Sequence, residues 1–477
     1  MKMQKNTPPL VSGGVPGLGH ALEFQKDRGK LLTRGYKEQG AVFSINLGIS
    51  KAAVLIGPEY HKIFFDETDK KLNMSKAYGF LKALFGEVAF IAGPTVYKNQ
   101  RPLLYEPFGR KKMLSYIQAM QSEIQAWINK LDDEGEFEIV EEIIKITQYV
   151  AGHTLLGKNF HNTVGNQFWR YYDDLGPALD PLLPPNLPLP KFIKRDKARK
   201  EMLKILKPII AERRKNENEY DDFLQDFVKK SLVDGSKADD ETILNLVLAL
   251  MFAGHETTAG QAAWTIIQLL QHQEYLKIVQ VEINDKLLYG KELDLNAVAG
   301  LEKTYCAVEE TSRMRPSADM TIRVADEDFE IGGYVVPKGW AIFLSSETAH
   351  FLPELFENPD AYQPLRFAAP NSEKNQHPFS MIGFGGGTHR CAGMNFAYNE
   401  MIIITALLLQ QLDMELVTTT TTILRGLGAN RPSPTIIRYK RKKISEMLSS
   451  DTLKEAVSAG CPHLSKMAKA ENANLGK

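Results

Sequence analysis

Cys391 ends a glycine loop, Phe384-Gly-Gly-Gly-Thr-His-Arg-Cys391-Ala-Gly393, and stands directly ahead of the apolar run NFAYNEMIIITALLLQQL. Glycines let backbone approach a flat ligand closely, and the amides and positive end of a following helix favour an anionic sulfur. A thiolate held in this way is one of the few axial ligands for haem iron, and the electron density it donates promotes O–O cleavage. The other reading of this residue is a buried structural cysteine. A second cluster, Ala253-Gly254-His255-Glu256-Thr257-Thr258, sets small residues beside a carboxylate and two hydroxyls. The small residues leave room for dioxygen, Thr257 can hydrogen-bond it, and Glu256 can relay protons into a pocket of low dielectric. His255-Glu256 also begins a zinc-protease pattern, which fails because Ala259 stands where the second histidine belongs. Finally, Glu310 and Arg313 lie three apart on one helical face and can pair, while Arg366 offers a second guanidinium for bidentate contacts. Taken alone, such a pair is more often an exposed salt bridge.

The elements that must hold these residues read as mostly helical. Residues 241–272 contain no proline, enough for a helix of roughly 45 Å that crosses the molecule and carries the 253–258 cluster at its middle. Apolar spacing of three and four predicts helices over 97–131 and 200–215, with LLPPNLPLP at 182–190 as a stiff loop between them. Helical segments continue to about residue 314. Strand-like pieces follow around Thr321 to Val336, then an irregular stretch rich in proline and asparagine from 352 to 380. AVFSINLG (41–48) and KAAVLIG (51–57) alternate across a short turn and predict a β-hairpin. The glycines of PPLVSGGVPGLG (8–19) lack the preceding strand and acidic partner of a dinucleotide fingerprint. The expected architecture is mostly α with a smaller β-rich lobe near the N-terminus. Residues 1–443 form one domain around a long central helix, and 444–477 form a polar C-terminal tail.

Lys+Arg and Asp+Glu number 58 each, and 43% of residues are hydrophobic, which describes a globular chain with a large core. No basic excess is available for phosphate contacts, so nucleic acid is excluded as a partner. Cys306, Cys391 and Cys461 are too few and too scattered for a disulfide framework, which points to a reducing compartment. The first ten residues are polar, and the longest apolar run, 244–253, is too short to span a bilayer. The expectation is therefore a soluble cytoplasmic protein with no transmembrane anchor, in which peripheral membrane contact stays open. RYKRKK at 438–443 reads as a solvated charge run rather than a docking patch.

FGGGTHRCAG resembles the haem-binding loop of the cytochrome P450 superfamily at its Phe384, glycine, basic, Cys391 and Gly393 positions. Glu310-Thr-Ser-Arg313 and FENPDAYQPLRF with Arg366 stand in the order of two more signatures, whose charges form a buried network on the haem side in that superfamily. The 253–258 cluster resembles its oxygen-activating motif, and the likeness runs from about residue 8 to 443. The resemblance implies the P450 fold and haem b (iron protoporphyrin IX) ligated by Cys391, with Ala253 and Gly254 across from it. It also implies propionate contacts from Tyr97, Arg101, Arg323 and His389, where Tyr97 replaces the commoner tryptophan. The implied reaction is monooxygenation, with Glu256 and Thr257 managing protons and a separate ferredoxin or flavodoxin-type partner supplying electrons.

VSGGVPGLGHALEF (11–24), AYGFLKALFG (77–86), LPLPKFIKRDKARKEM (187–202) and HRCAGMNFAY (389–398) are similar to sterol 14α-demethylases. The second segment would present Tyr78, Phe80, Leu81 and Phe85 to a large, flat, lipophilic substrate such as a sterol or triterpenoid. Two positions depart from that family: Glu256 replaces a histidine, and Ala83 replaces a proline. Glu256-Thr257-Thr258 is the general pattern of fatty-acid and terpenoid hydroxylases, so that alternative stays open. A peroxygenase or isomerase on the same scaffold is disfavoured by the intact Glu256-Thr257 pair. A haem sensor or binding protein without turnover is the remaining alternative.

Overall fold

The proline-free run forms a single helix, Asp240–Gln271, whose N-cap Asp239 accepts a hydrogen bond from the Thr242 amide at 2.7 Å. It is apolar around most of its circumference and buried along most of its length from Ile243 to Leu270, so its place is the interior. Among the described residues it is the one helix long and apolar enough to cross a bilayer, yet 67% of its most apolar window is covered by protein. The computed structural model describes residues 6–443, apart from 49, 181, 182, 217, 218, 371 and 427 and the side chains of 161 and 162. The tail expected at 444–477, with Cys461, and the first residue of the proline-rich loop thus lie outside the described residues.

Helices Ile139–Leu156, Pro190–Lys215, Glu302–Met314 and Met394–Gln411 pack against the central helix. The helical stretch expected over 97–131 is interrupted. It runs as Pro94–Tyr105, a tight turn at Glu106–Phe108, and Arg110–Ile128, because Pro107 lacks an amide donor and Gly109 takes an extended conformation. The last proline of the proline-rich loop begins the next helix: Pro190 occupies its first turn, where the missing N–H costs nothing.

The predicted hairpin forms as Val42–Asn46 and Lys51–Leu55, with Val42 opposite Leu55. Its buried faces hold more apolar surface than a two-stranded ribbon can cover. Lys51–Leu55 accordingly pairs in parallel with Ala341–Ser345, which pairs antiparallel with Met320–Ala325, which in turn pairs with Leu72–Asn73. The β-rich lobe is therefore built from both ends of the chain and not from the N-terminal region alone. RYKRKK proves to be mostly strand. Ile436–Arg441 is the middle of a three-stranded sheet, flanked by Glu134–Glu138 and Leu412–Leu416. Arg438 meets Glu136 at 2.8 Å and Glu415 at 2.7 Å, one carboxylate from each neighbour, and Tyr439 is buried. Cys306 lies buried on Glu302–Met314, where burial pushes its thiol up to about 11 and leaves it unreactive.

Candidate active site

A cavity of about 1280 Å³ is lined both by Ala253, Gly254, Thr257 and Thr258 of the central helix and by the loop from Gly383 to Gly393. The Cys391 side chain opens into it, while its backbone N–H donates to the Phe384 carbonyl at 2.9 Å. Burial pushes the Cys391 thiol up, against the Gly393 amide and the Arg390 charge. The helix that follows starts at Met394, three residues on, and does not overcome that desolvation. The protein alone thus favours the neutral thiol, whereas a coordinating metal ion would deprotonate it outright. The glycines serve packing as well as ligand approach. A Cβ on Gly386 would stand 2.7 Å from the Phe65 ring, and Gly387 has φ +61° with the Phe65 carbonyl 3.0 Å from its Cβ position.

On the central helix, a Cβ built on Gly254 meets nothing within 4 Å, so the small residues do leave open space. The Thr257 hydroxyl donates to the Ala253 carbonyl at 2.6 Å, and the Ser317 hydroxyl donates to the Thr257 carbonyl at 3.0 Å. Glu256 does not line the cavity. One residue turns the side chain by about 100°, and its carboxylate is exposed near Gly428, 3.4 Å from where a Cβ there would stand. His255 does line it. Burial holds that ring at about 4, hence neutral, with Trp169 and Tyr172 beside it at 6.0 and 6.3 Å between ring centroids.

Three of the four expected propionate contacts reach the cavity. Arg323 is 1% exposed, donates to Thr68 and to the Ile322 carbonyl, and has no carboxylate within ion-pair distance among the described residues. His389 holds Asp69 through Nε2 at 2.7 Å, while its buried Nδ1 has no partner among the described residues. Tyr97 packs on the His389 ring at 4.1 Å and donates to the Thr388 carbonyl at 2.8 Å. Arg101 does not line the cavity: it is exposed, with its guanidinium 5.1 Å from the Tyr105 ring centroid.

Of the expected substrate contacts, Tyr78 alone lines the cavity, edge-on to Phe90 at 5.9 Å. Leu81 and Phe85 are core residues, Phe85 lying 4.8 Å from the Phe252 ring, and Phe80 packs on the same core. Residues 74–85 fold as three short helical turns, which spread successive side chains around the axis instead of along one face.

Glu310, Arg313 and Arg366 meet in the interior. Arg313 grips both Glu310 oxygens at 2.7 and 2.9 Å, Arg366 reaches the same carboxylate at 3.2 Å, and the Gln363 amide donates to it at 2.8 Å. Arg313 also donates to the His350 carbonyl, which ties the strand-rich lobe to the helix. All three charged side chains are at most 1% exposed. Several residues of the cavity wall went unnoticed in the sequence. Tyr105, two helical turns beyond Tyr97, bonds the Tyr97 hydroxyl at 2.9 Å and the Arg390 carbonyl at 3.0 Å. Glu400 is a lone carboxylate on an apolar helix, raised by burial to about 8, with Oε1 unpartnered among the described residues. Its signal was a single charge in NFAYNEMIII.

An open thiol faces a cavity that, among the described residues, also holds a buried guanidinium with no ion-pair partner and an imidazole nitrogen with no hydrogen-bond partner. These residues fit an iron macrocycle bearing carboxylates, and together with the helical fold they define a haem-thiolate enzyme. The chain matches the cytochrome P450 family model over residues 8–437. It is 32% identical to a sterol 14alpha-demethylase of Mycolicibacterium vanbaalenii over 416 residues, covering 86% of this chain and 91% of that protein. It is 29% identical to a sterol 14-demethylase of Arabidopsis thaliana, covering 93% of both. The solved structure of a retinoic acid-bound cyanobacterial CYP120A1 superimposes with a TM-score of 0.81 at 22% identity, over 92% of this chain and 100% of that one. The chain belongs to the cytochrome P450 family. It is a haem-containing monooxygenase.

Proposed function

We propose that this enzyme oxidises a C–H bond of a sterol or triterpenoid, using O2 and electrons from a separate ferredoxin or flavodoxin-type partner in the cytoplasm. The observation that carries the substrate class is the likeness, over most of both chains, to proteins named sterol 14-demethylases. The largely apolar wall that includes Tyr78, Phe90, Leu250 and Met320 suits burial of such a molecule. Residues 1–443 are the catalytic domain in this reading and 444–477 a tail.

Haem bound at this site supplies oxygen activation. Cys391 would hold the iron, and Arg323, His389 and Tyr97 would hold and orient the carboxylate edge. Thr257 keeps its proton on the Ala253 carbonyl until a better acceptor enters the open space beside Gly254. Glu256, one residue before Thr257, is exposed near Gly428 and outside the cavity lining, so in this reading it would pass protons toward the cavity through an intermediary and not by direct contact. That same Glu256, where sterol demethylases carry histidine, favours a second reading as a fatty-acid or terpenoid hydroxylase.

Spectral titration of the ferric holoenzyme separates the two. Sterols or triterpenoids should shift the Soret band to the blue as axial water leaves. A shift with fatty acids and none with sterols establishes the second reading.

A further inference from the structure

Two fully buried histidines hold the chain just before the glycine loop. His61 lies on the helix Pro58–Asp66. Its Nδ1 faces the Phe379 carbonyl at 3.0 Å, and its Nε2 accepts from the Gly57 amide at 3.1 Å. His350, at the C-terminal end of the short helix Ser346–Ala349, reaches the same segment from the Arg313 side. Its Nδ1 faces the Arg313 carbonyl at 3.1 Å, and its Nε2 accepts from the Ile382 amide at 3.2 Å. An amide N–H only donates, so Nε2 of each ring carries a lone pair. A neutral ring then has its one proton on Nδ1, where each ring meets a carbonyl. Burial holds both rings neutral, His61 at about 4 and His350 at about 3. One tautomer in each ring thus satisfies every one of these contacts.

The segment between these contacts is not relaxed. Phe379 has φ +65°, which a bulky L residue adopts at a cost and keeps only when its surroundings impose it. Its ring stacks on Phe65, one turn beyond His61 on the same helix, at 5.9 Å between centroids. From Ile382 the contacts run on to the thiol. The Gly385 amide donates to the Ile382 carbonyl at 2.8 Å, and the Cys391 amide donates to the Phe384 carbonyl at 2.9 Å. In the other direction, the Arg313 guanidinium returns a hydrogen bond to the His350 carbonyl at 2.8 Å. Burial alone requires only that each ring be hydrogen-bonded. That both rings converge on residues 379–382, beside a strained Phe379, calls for a further account.

We propose that His61 and His350 are positioning residues for the Cys391 thiolate, acting through Nδ1 of His61 on the Phe379 carbonyl and Nε2 of His350 on the Ile382 amide. Together these two bonds hold Phe379 in its left-handed conformation and fix where the glycine loop starts. When either is lost, residues 379–382 relax toward ordinary backbone, and the loop no longer presents Cys391 to the same point of the cavity. The two remaining bonds, to Gly57 and to the Arg313 carbonyl, orient the rings and do not touch the segment.

The two rings act through different nitrogens, and that sets the test. Asparagine places its amide where Nδ1 of histidine stands, and glutamine reaches the position of Nε2. His61→Asn should therefore behave like the wild type and His61→Gln should not, whereas His350→Gln should behave like the wild type and His350→Asn should not. Each holoenzyme is reduced under carbon monoxide, and decay of the long-wavelength thiolate band is followed in mild denaturant. His61→Gln and His350→Asn should lose the band about tenfold faster, as for one buried hydrogen bond lost. The reverse pattern, or equal decay for the two amides at either position, overturns the proposal, because rings that only pack would not distinguish them. Nitrogen NMR of the wild-type imidazoles gives a readout independent of the iron: both protons should sit on Nδ1, and one on Nε2 of either ring refutes the assignment. Should the His350 variants fail to retain haem, the His61 pair decides. The proposal rests on the haem-thiolate site, and a wild type lacking the thiolate band would instead refute that site.

Discussion

Cys391 and Glu310 show how differently a single side chain can act here. Cys391 is open to the cavity but desolvated, so its ionisation depends on the metal it binds. Cys391→His should still bind haem but lose the long-wavelength band of the reduced carbon-monoxide complex that reports thiolate ligation, and a retained band would remove Cys391 as the ligand. Glu310 instead holds two guanidiniums that water does not reach. Replacing it by glutamine leaves Arg313 buried without an ion-pair partner among the described residues, while Arg366 keeps Glu373 at 2.7 Å, and should cost about 3–5 kcal/mol in denaturant unfolding. A loss below about 1 kcal/mol would mean that the pair behaves like a surface salt bridge. Cys391 was legible from the glycine loop around it, and Glu310 and Arg313 from their place in an ordered set with Arg366 and that loop. Arg101, Glu256, Leu81 and Phe85 were misplaced because a motif fixes which residue occurs, not which way a helix turns it.

Among the elements, the glycine loop and the helix Pro58–Asp66 are locked together by contact. Gly386→Ala would drive a methyl into the Phe65 ring and shift the loop that carries Cys391. We expect weakened haem retention in that variant, seen as loss of Soret absorbance on gel filtration, and recovery in the double variant with Phe65→Leu. Equal loss in single and double variants would show that the glycine serves ligand approach alone. The central helix could be read from sequence because a proline-free apolar run of that length has few other fates. Ala341–Ser345 could not, since a five-residue run with four buried residues has no period that distinguishes strand from helix. One of its two partner strands lies some 290 residues away in sequence, as the pairing of Val54 with Phe343 shows.

Across the whole molecule, burial sets the response to pH. His61, His255 and His350 are held at about 4, 4 and 3, below the 6.5 of a free imidazole. The unfolded chain binds their protons first, so their stabilisation is full above about 6.5 and is lost as pH falls toward 4. Glu400, raised from 4.5 to about 8, acts in the opposite sense: the folded protein keeps a proton that the unfolded chain releases, so stability falls as pH rises from about 4.5 to about 8. Three histidines outweigh one carboxyl below 6.5, and Glu400 alone acts above it, which places the maximum from these groups near pH 6.5. Thermal midpoints measured across pH should show this maximum, and Glu400→Gln should flatten the alkaline limb. An unchanged limb would mean that Glu400 ionises normally in the folded state.

By itself the sequence determined the haem-thiolate chemistry, the long central helix, the hairpin and the three members of the buried charge network. The first three depend on residue type and spacing within one segment, and the charge network on two motifs standing in a fixed order. Tertiary structure decided the rest. It joined the N-terminal hairpin to strands from beyond residue 319, turned RYKRKK into a paired strand, and sent Arg101 and Glu256 outward. It also brought His61 and His350 onto the segment that leads into the glycine loop. The reason is physical: which face of an element is buried depends on what packs against it, and those partners come from segments that no local pattern connects.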